Sequence, residues 1–170
     1  MISEYYDKYI DFETKGRSDI GPLLANPKAF NNMIKDLIKP FNNFDKIAAI
    51  DALGFILGGA MAFKAKKPLI LIRKEGKLPN LDKEVVKSSF IDYTKTTKSF
   101  EITRNSINKG DKVLIVDEWI ETGAQLKAAI SLIEGLGGKV IGISTLNADK
   151  NEQTKILFEK YNLKSLRGKQ

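Results

Sequence analysis

The stretch "VLIVDEWIETGAQLKAAI", residues 113–130, places two acids and a short polar turn between a buried strand and a helix. The four apolar residues at its start have the continuous pattern of a strand that is buried on both faces. Asp117 and Glu118 follow them, and from Ala124 onward the apolar residues recur with the helical period. The stretch therefore predicts a strand–turn–helix unit. Its polar groups belong either to a solvated surface turn or to a binding site.

The turn at residues 121–125 has the features of an anion site. The amides at the start of a helix lack intrahelical partners and lie at the positive end of the helix dipole, which suits a phosphate. Gly123 permits a close approach of the backbone, and Thr122 adds a hydroxyl donor. Asp117 and Glu118 would repel a phosphate but can accept hydrogen bonds from sugar hydroxyls. The order of acids and amides therefore predicts a site for a ribose 5-phosphate.

Composition narrows the possible chemistry. The 170 residues indicate a single domain, residues 1–170, and they include no cysteine and no histidine. Thiol catalysis is thus excluded, and any acid–base step must use carboxylates, lysine or tyrosine. The absence of cysteine fits a cytoplasmic protein, and we find neither a signal peptide nor an apolar run long enough to span a membrane.

The chain carries a net charge of +7, from 28 basic and 21 acidic residues. The lysines are scattered, which is typical of a solvated surface, although the same field would attract a phosphorylated substrate. No motif supports binding to nucleic acid.

The rest of the chain alternates between strand and helix patterns. The predicted strands cover residues 46–51, 68–74, 111–117 and 139–145, with a further short strand near residue 164. The predicted helices cover residues 26–40, 53–66, 124–136 and 150–162, and Gly54, Gly58 and Gly59 are expected to let the second of them pack closely on the sheet. This alternation predicts an α/β fold with a parallel sheet and helices on both faces.

Residues 74–110 interrupt this pattern. They contain two short alternating patches, "SFIDY" and "SFEIT", which predict a β-hairpin or a mobile excursion whose aromatic residues pack against each other. In parallel sheets ligands bind beyond the carboxyl ends of the strands. Residues 51–54, 73–77 and 117–125 all lie at such ends, which favours a site over a chance cluster of polar residues.

Several of these motifs resemble a known family. "VLIVDEWIETGAQ" resembles the phosphoribosyl pyrophosphate (PRPP) motif of the type I phosphoribosyltransferases, in which paired acids hold the ribose 2- and 3-hydroxyls and the turn holds the 5-phosphate. "IRKEGKLP", residues 72–79, is similar to a signature of the adenine phosphoribosyltransferases, and "DIGPLLANPKAF", residues 19–30, to their base-covering segment. "IDALGF", residues 50–55, lies where they carry a pyrophosphate loop, and "SFIDYT" is a weaker match to their flexible loop.

The resemblance covers roughly residues 10–166 and implies a type I phosphoribosyltransferase fold. That fold is a central parallel sheet flanked by helices, with a small N-terminal hood at about residues 10–40 and a flexible hairpin at about residues 75–110. It also implies transfer of a 5-phosphoribosyl group from PRPP to a purine base, with adenine giving AMP as the first expectation, and release of pyrophosphate. Mg²⁺ would bind with PRPP without direct protein ligands, and the chain would form a homodimer.

The implied site residues fall into three groups. PRPP would be held by Asp117, Glu118, Glu121, Thr122, Gly123, Ala124 and Gln125, its pyrophosphate by Ala52, Leu53, Arg73 and Lys77, and the base by Arg17, Ser18 and Trp119. Glu121 is also the expected catalytic acid–base group, with Asp92 of the hairpin as the next residue to consider.

Alternatives remain at several positions. Core packing is the first interpretation of Trp119, and stacking near the base is the alternative. Glu121 could be a solvated turn residue, and Arg73 and Lys77 could be surface charges. The chain also departs from the family pattern, because Leu53 replaces an arginine, Ala124 and Gln125 replace glycine and threonine, and Arg17 and Ser18 replace an aromatic residue and an arginine. These departures leave open a PRPP- or nucleotide-binding regulator with little catalysis, or an enzyme that uses another nucleobase.

Overall fold

A single mixed sheet organises the computed structural model, which describes residues 2–12, 18–79, 84–91 and 95–167. Seven strands of these residues form it, in the spatial order β3-β4-β2-β1-β5-β6-β7. Their bounds are β1 (Lys46–Ile50), β2 (Leu69–Lys74), β3 (Val85–Ile91), β4 (Thr97–Thr103), β5 (Lys112–Ile120), β6 (Lys139–Ala148) and β7 (Leu163–Arg167).

The strands β2, β1, β5, β6 and β7 pair in parallel, whereas β4 pairs antiparallel with β2 and with β3. The predicted parallel sheet is confirmed, and so is the hairpin. Because β1 lies between β2 and β5, the loops that follow these three strands meet at one edge of the sheet.

Helices cover both faces of the sheet. They are α1 (Ile2–Asp7), α2 (Gly21–Ala25), α3 (Pro27–Ile38), α4 (Gly54–Ala65), α5 (Ala124–Gly135) and α6 (Lys155–Lys160). One buried apolar cluster packs α5, α6 and part of β4 against one face of the sheet. A second cluster packs the helices α1, α2, α3 and α4 against the opposite face. The start of α3 follows the sequence prediction, since the side chain of Asn26 accepts a hydrogen bond from the amide of Ala29 at 2.9 Å.

Several boundaries differ from the sequence prediction. Strand β5 was expected to end at Asp117 but continues to Ile120, because its pairing with β6 extends through Trp119↔Asn147 and Ile120↔Ala148. The last helix is shorter than its predicted range, and α1 was not predicted. Gly54 and Gly58 do lie against the sheet, but the expectation for Gly59 was wrong, since a Cβ built there meets no atom within 4 Å.

The N-terminal segment is anchored to the body of the protein by Tyr6. Its ring is fully buried, and its hydroxyl donates a hydrogen bond to the Asp36 carboxylate at 2.5 Å. Burial, together with this carboxylate, raises the pKa of Tyr6 well above its ordinary value. A bridge between Asp11 and Asp19 then leads the chain to α2, so that α1 is held near the same edge of the sheet as the three loops. Within the described ranges, no helix is both long enough and apolar enough to cross a bilayer.

Candidate active site

A cavity of about 490 Å³ lies beyond the carboxyl ends of β1 and β5. Its walls come from the N-terminal segment, the loop after β1, the end of β2, the hairpin, and the junction between β5 and α5. The residues that line it are Ser18, Ile20, Asp51, Ala52, Leu53, Lys74, Phe90, Lys98, Asp117, Glu118, Trp119, Ile120, Glu121, Thr122, Gly123, Ala124, Gln125 and Leu126. Five segments that are separated in sequence thus share one site.

The acid pair lies inside strand β5 rather than after it. Asp117 is buried, with 7% of its surface exposed, and its Oδ1 accepts a hydrogen bond from the amide of Glu118 at 2.9 Å. The carbonyl oxygen of Glu118 accepts a hydrogen bond from the Thr145 hydroxyl at 3.1 Å. The backbone of both acids is therefore fixed by the sheet, which holds their carboxylates at a constant position on the cavity wall.

The turn before α5 depends on Gly123. This residue is the N-cap of α5 and has a φ of 72°, in the left-handed region. A Cβ at Gly123 would lie 2.7 Å from Cδ1 of the buried Leu157. Thr122 Oγ1 accepts a hydrogen bond from the amide of Ala124 at 3.3 Å, and Asn151 donates its side-chain amide to the carbonyl of Glu121 at 2.9 Å. These contacts aim the N-terminus of α5 at the cavity, where its dipole favours an anion.

The loop after β1 supplies the wall opposite the turn, and the peptide bond between Asp51 and Ala52 in this loop is cis. The carboxylate of Asp51 faces Arg73 Nε at 3.2 Å and Lys74 Nζ at 3.8 Å. Leu53 begins the turn into α4 and is 37% exposed. The loop therefore presents an apolar side chain beside a neutralised carboxylate, and the positive charge at this end of the cavity comes from lysine.

The basic residues that line the cavity differ from the two that the sequence suggested for the pyrophosphate, and the roles of Arg73 and Lys77 stay predictions. Among the described residues that line the cavity, the basic ones are Lys74 and Lys98, whereas Arg73 and Lys77 lie outside the lining. The guanidinium of Arg73 bonds to Asp51 and lies 5.5 Å from the centroid of the Phe55 ring.

The amides of Lys77 and Leu78 both donate to Oε1 of Glu101, at 2.9 and 2.8 Å. The side chain of Arg73 and the backbone of Lys77 thus help to fix the loops after β1 and β2. Lys74 belongs to the same "IRKEGK" motif, so that motif could have identified it as a candidate. Lys98 lies in the hairpin, where no sequence motif indicated a role in the site.

Some of the remaining predicted residues also line the cavity. Trp119 is half-buried and lines the cavity together with Ser18, which favours the interpretation that its indole faces the cavity over packing in the core. Glu121 is exposed at the mouth. Arg17, Asp92 and Tyr93 lie outside the described residues. The ring of Phe90 lies 4.7 Å from that of the buried Phe100, which confirms the predicted packing of these two hairpin residues. Phe90 also lines the cavity, a position that the sequence analysis did not predict.

Comparison with known proteins agrees with this geometry. A family model described as "Phosphoribosyl transferase domain" matches residues 19–168. A curated adenine phosphoribosyltransferase of Thermotoga maritima is 38% identical over 160 residues, which cover 92% of this chain and 90% of the relative. One of Cereibacter sphaeroides is 37% identical over 145 residues, which cover 83% of this chain and 79% of the relative.

Solved structures give the same result. The adenine phosphoribosyltransferase of Thermoanaerobacter pseudethanolicus superposes with a TM-score of 0.85 at 34% identity, and the match covers 96% of this chain and 98% of that chain. The enzyme of Giardia lamblia, crystallised with 9-deazaadenine, gives a TM-score of 0.84 at 29% identity, and the match covers 98% and 97% of the two chains. The similarity therefore spans the sheet, its helices and the cavity.

We expect Gly123→Ala to destabilise the protein and to weaken binding of an anion at the turn. The left-handed conformation costs an alanine about 1–2 kcal/mol, and the new methyl group would displace the buried Leu157. Gly135→Ala in the same helix is the matched control, because a Cβ there meets nothing within 4 Å. Chemical denaturation with and without phosphate ligands measures both effects. Equal stability of the two variants would contradict this role of Gly123.

Proposed function

The chain belongs to the phosphoribosyl transferase family, and from this premise we propose that it transfers the 5-phosphoribosyl group of PRPP to adenine. The products are AMP and pyrophosphate, in a salvage reaction of the cytoplasm. The observation that carries the proposal is the single cavity in which the acid pair of β5, the N-terminal turn of α5 and the loop after β1 face one another. The relatives that share the fold and about a third of the sequence are adenine phosphoribosyltransferases.

The two ends of the cavity suggest the orientation of PRPP. We propose that Asp117 and Glu118 accept hydrogen bonds from the ribose hydroxyls and that the backbone of residues 121–125 binds the 5-phosphate. The phosphate then lies at the positive end of the α5 dipole. Ala124 and Gln125 retain their amides, so the two departures from the family pattern preserve a backbone cradle.

The pyrophosphate would lie toward Ala52, Leu53 and the two lysines. Lys74 and Lys98 reach this wall from β2 and from the hairpin, and together they supply cationic charge beside the apolar Leu53. Arg73 acts indirectly in this proposal, since it helps to neutralise Asp51 and so limits the repulsion between that carboxylate and the pyrophosphate.

We also propose that Mg²⁺ accompanies PRPP. Within the described ranges, no three His, Cys, Asp or Glu side chains group into a metal site. The oxygens of PRPP and bound waters would supply the hard oxygen donors, because this ion keeps several waters and takes few protein ligands, and Asp117 and Glu118 then stay available to the ribose hydroxyls. When bound, it would neutralise charge on the departing pyrophosphate.

In the reaction, N9 of adenine bonds to C1 of the ribose as the bond between C1 and the pyrophosphate oxygen breaks. The ribose gains positive charge in between, so positioning and electrostatics provide most of the catalysis. The proton of N9 must also leave. Glu121 at the mouth of the cavity is the carboxylate that we propose to accept it, since the chain has no histidine.

We expect PRPP with Mg²⁺ to raise the unfolding temperature of the protein. A ligand at a hundred times its dissociation constant adds about 2.7 kcal/mol to the free energy of unfolding. The double variant Asp117→Asn, Glu118→Gln should lose this shift while it keeps its ligand-free melting temperature.

Glu152→Gln with Glu159→Gln removes the same charge from exposed positions near and within α6 and should retain the shift. Pyrophosphate release with PRPP, Mg²⁺ and a panel of free bases tests the activity. Release with hypoxanthine or guanine but not with adenine would overturn the choice of base.

Glu121→Gln separates binding from catalysis. The variant keeps the shape of the side chain but cannot accept a proton, and general acid–base catalysis usually contributes about 10²–10⁴-fold. We expect a normal thermal shift with PRPP and a fall of at least about a hundredfold in the rate of AMP formation. A variant that no longer binds PRPP would show that Glu121 supports the turn, and one with a normal rate would exclude it as the base.

An exposed apolar face on α4 supports a homodimer. Ile56 and Phe63 lie two helical turns apart and are 44% and 90% exposed, and on the neighbouring strand Leu69 and Leu71 are 38% and 39% exposed. Gly59 lies between Ile56 and Phe63 and leaves the helix surface flat. We propose that a second copy of the chain covers this face, because large apolar side chains that cluster on a surface favour association.

We expect Phe63→Glu to convert the dimer into a monomer. The charge would be buried without a partner at the proposed interface. Ile156→Glu on α6 is the control, since Ile156 is 50% exposed and lies elsewhere on the surface. Light scattering after gel filtration should give twice the chain mass of 19.0 kDa for the unchanged protein and for the control. If the unchanged protein has the mass of a monomer, the proposal is contradicted.

A further inference from the structure

The last strand places an arginine between two aromatic rings beside the cavity. The guanidinium carbon of Arg167 lies 4.6 Å from the centroid of the Phe12 ring and 5.3 Å from that of the Trp119 ring. Only 17% of the Arg167 side chain is exposed. A guanidinium is planar and weakly hydrated, so it stacks on aromatic faces in a way that an ammonium group does not.

Two polar contacts hold the guanidinium between the rings. Its Nε donates to Oδ1 of Asp7 in α1, and its Nη1 donates to Oδ1 of Asn147 at 3.3 Å. Trp119 is paired in register with Asn147, and Asn147 with Arg167, so the three residues form one row across β5, β6 and β7. The position of the arginine is therefore determined by the sheet on one side and by α1 on the other.

This arrangement includes residues that precede the region matched by the family model. Asp7 and Phe12 precede residues 19–168, the range of the family model. The bridge between Asp11 and Asp19 joins their segment to Ser18 and Ile20, which line the cavity. Trp119 lines the same cavity, so Arg167 contacts both the wall and the segment that covers it.

We propose that Arg167 is a positioning residue for the nucleobase. It orients the indole of Trp119 on the cavity wall, and its contacts with Asp7 and Phe12 tie their segment to that ring. The inference rests on the proposed function, because it takes the group that lies beside this wall to be the base. The phosphate and pyrophosphate ends involve other residues, so the effect of Arg167 is confined to the base.

The test compares Arg167→Lys, Arg167→Met and Phe12→Leu. Arg167→Lys keeps the charge and a pairing with Asp7, but an ammonium group cannot stack on a ring as a planar guanidinium does. Phe12→Leu removes one of the two rings at a position that is 48% exposed, where a substitution disturbs folding least. Arg104→Met is the matched control, since Arg104 is exposed in the Arg104–Ser106 turn and does not line the cavity. Each variant is assayed for kcat and for the KM of adenine and of PRPP. Because Trp119 is the single tryptophan of the chain, its fluorescence reports this ring alone.

We expect both Arg167 variants to raise the KM for adenine about tenfold, the size of effect typical of a desolvated cation–aromatic contact. The KM for PRPP should stay within about twofold in the same variants. Their ligand-free Trp119 emission should shift, Phe12→Leu should change both readouts in the same direction by less, and Arg104→Met should change neither.

Three results would overturn the inference. The first is an Arg167→Lys variant that behaves as the unchanged protein, since charge alone would then suffice. The second is a joint rise of both KM values or a fall in kcat alone, which would indicate general loosening of the fold. The third is a shifted emission with an unchanged KM for adenine. An unchanged protein that makes no AMP from adenine would instead contradict the proposed function, and the inference with it.

Discussion

The close approach of helix α4 to strand β5 at Gly54 is the contact on which the site depends. A Cβ at Gly54 would lie 3.0 Å from the carbonyl oxygen of Val116 and 3.3 Å from Oδ1 of Asp117. Any side chain there would push the start of α4 away from the acid pair. With glycine, the loop at residues 51–53 stays beside Asp117, and the two walls of one cavity are formed by adjacent parallel strands. One turn later α4 approaches β1 as closely, since a Cβ at Gly58 would lie 2.5 Å from the Cβ of Ala49.

The cavity brings together groups of opposite charge. The carboxylates of Asp117 and Glu118 line it, and so do Lys74 and Lys98 and the first residues of α5, whose helix dipole adds a positive potential. Asp51 would disturb this arrangement, but it is paired with Arg73 and Lys74. A substrate with an anionic group at each end and a neutral, hydroxyl-bearing centre suits this combination of groups. The net charge of +7 would also draw such a substrate toward the protein.

The cavity is supported by buried polar contacts that do not touch it. Glu101 is 3% exposed, and its carboxylate accepts hydrogen bonds from two backbone amides of the loop after β2. These bonds hold Lys74 and its neighbours in place. Thr154 and Asn151 organise the loop before α6, and Asn151 in turn bonds to the carbonyl of Glu121. Mutations in this supporting layer would loosen the site without removing a group that meets substrate.

The sequence by itself determined the parallel sheet, the four helices α3 to α6, and the acid pair and turn that line the cavity. Those features follow from local patterns. The spacing of apolar residues, a glycine after a threonine, and acids followed by a polar turn can each be recognised within a short stretch of sequence. The tertiary structure alone decided that Lys74 and Lys98 line the cavity while Arg73 and Lys77 support its loops. It also decided that Trp119 faces the cavity and that β5 continues to Ile120. These outcomes depend on β6, on the hairpin and on β7, whose pairing brings Asn147 and Arg167 beside Trp119. A side chain's direction at the end of a strand is set by which strand lies next to it, and the local sequence carries no record of that neighbour.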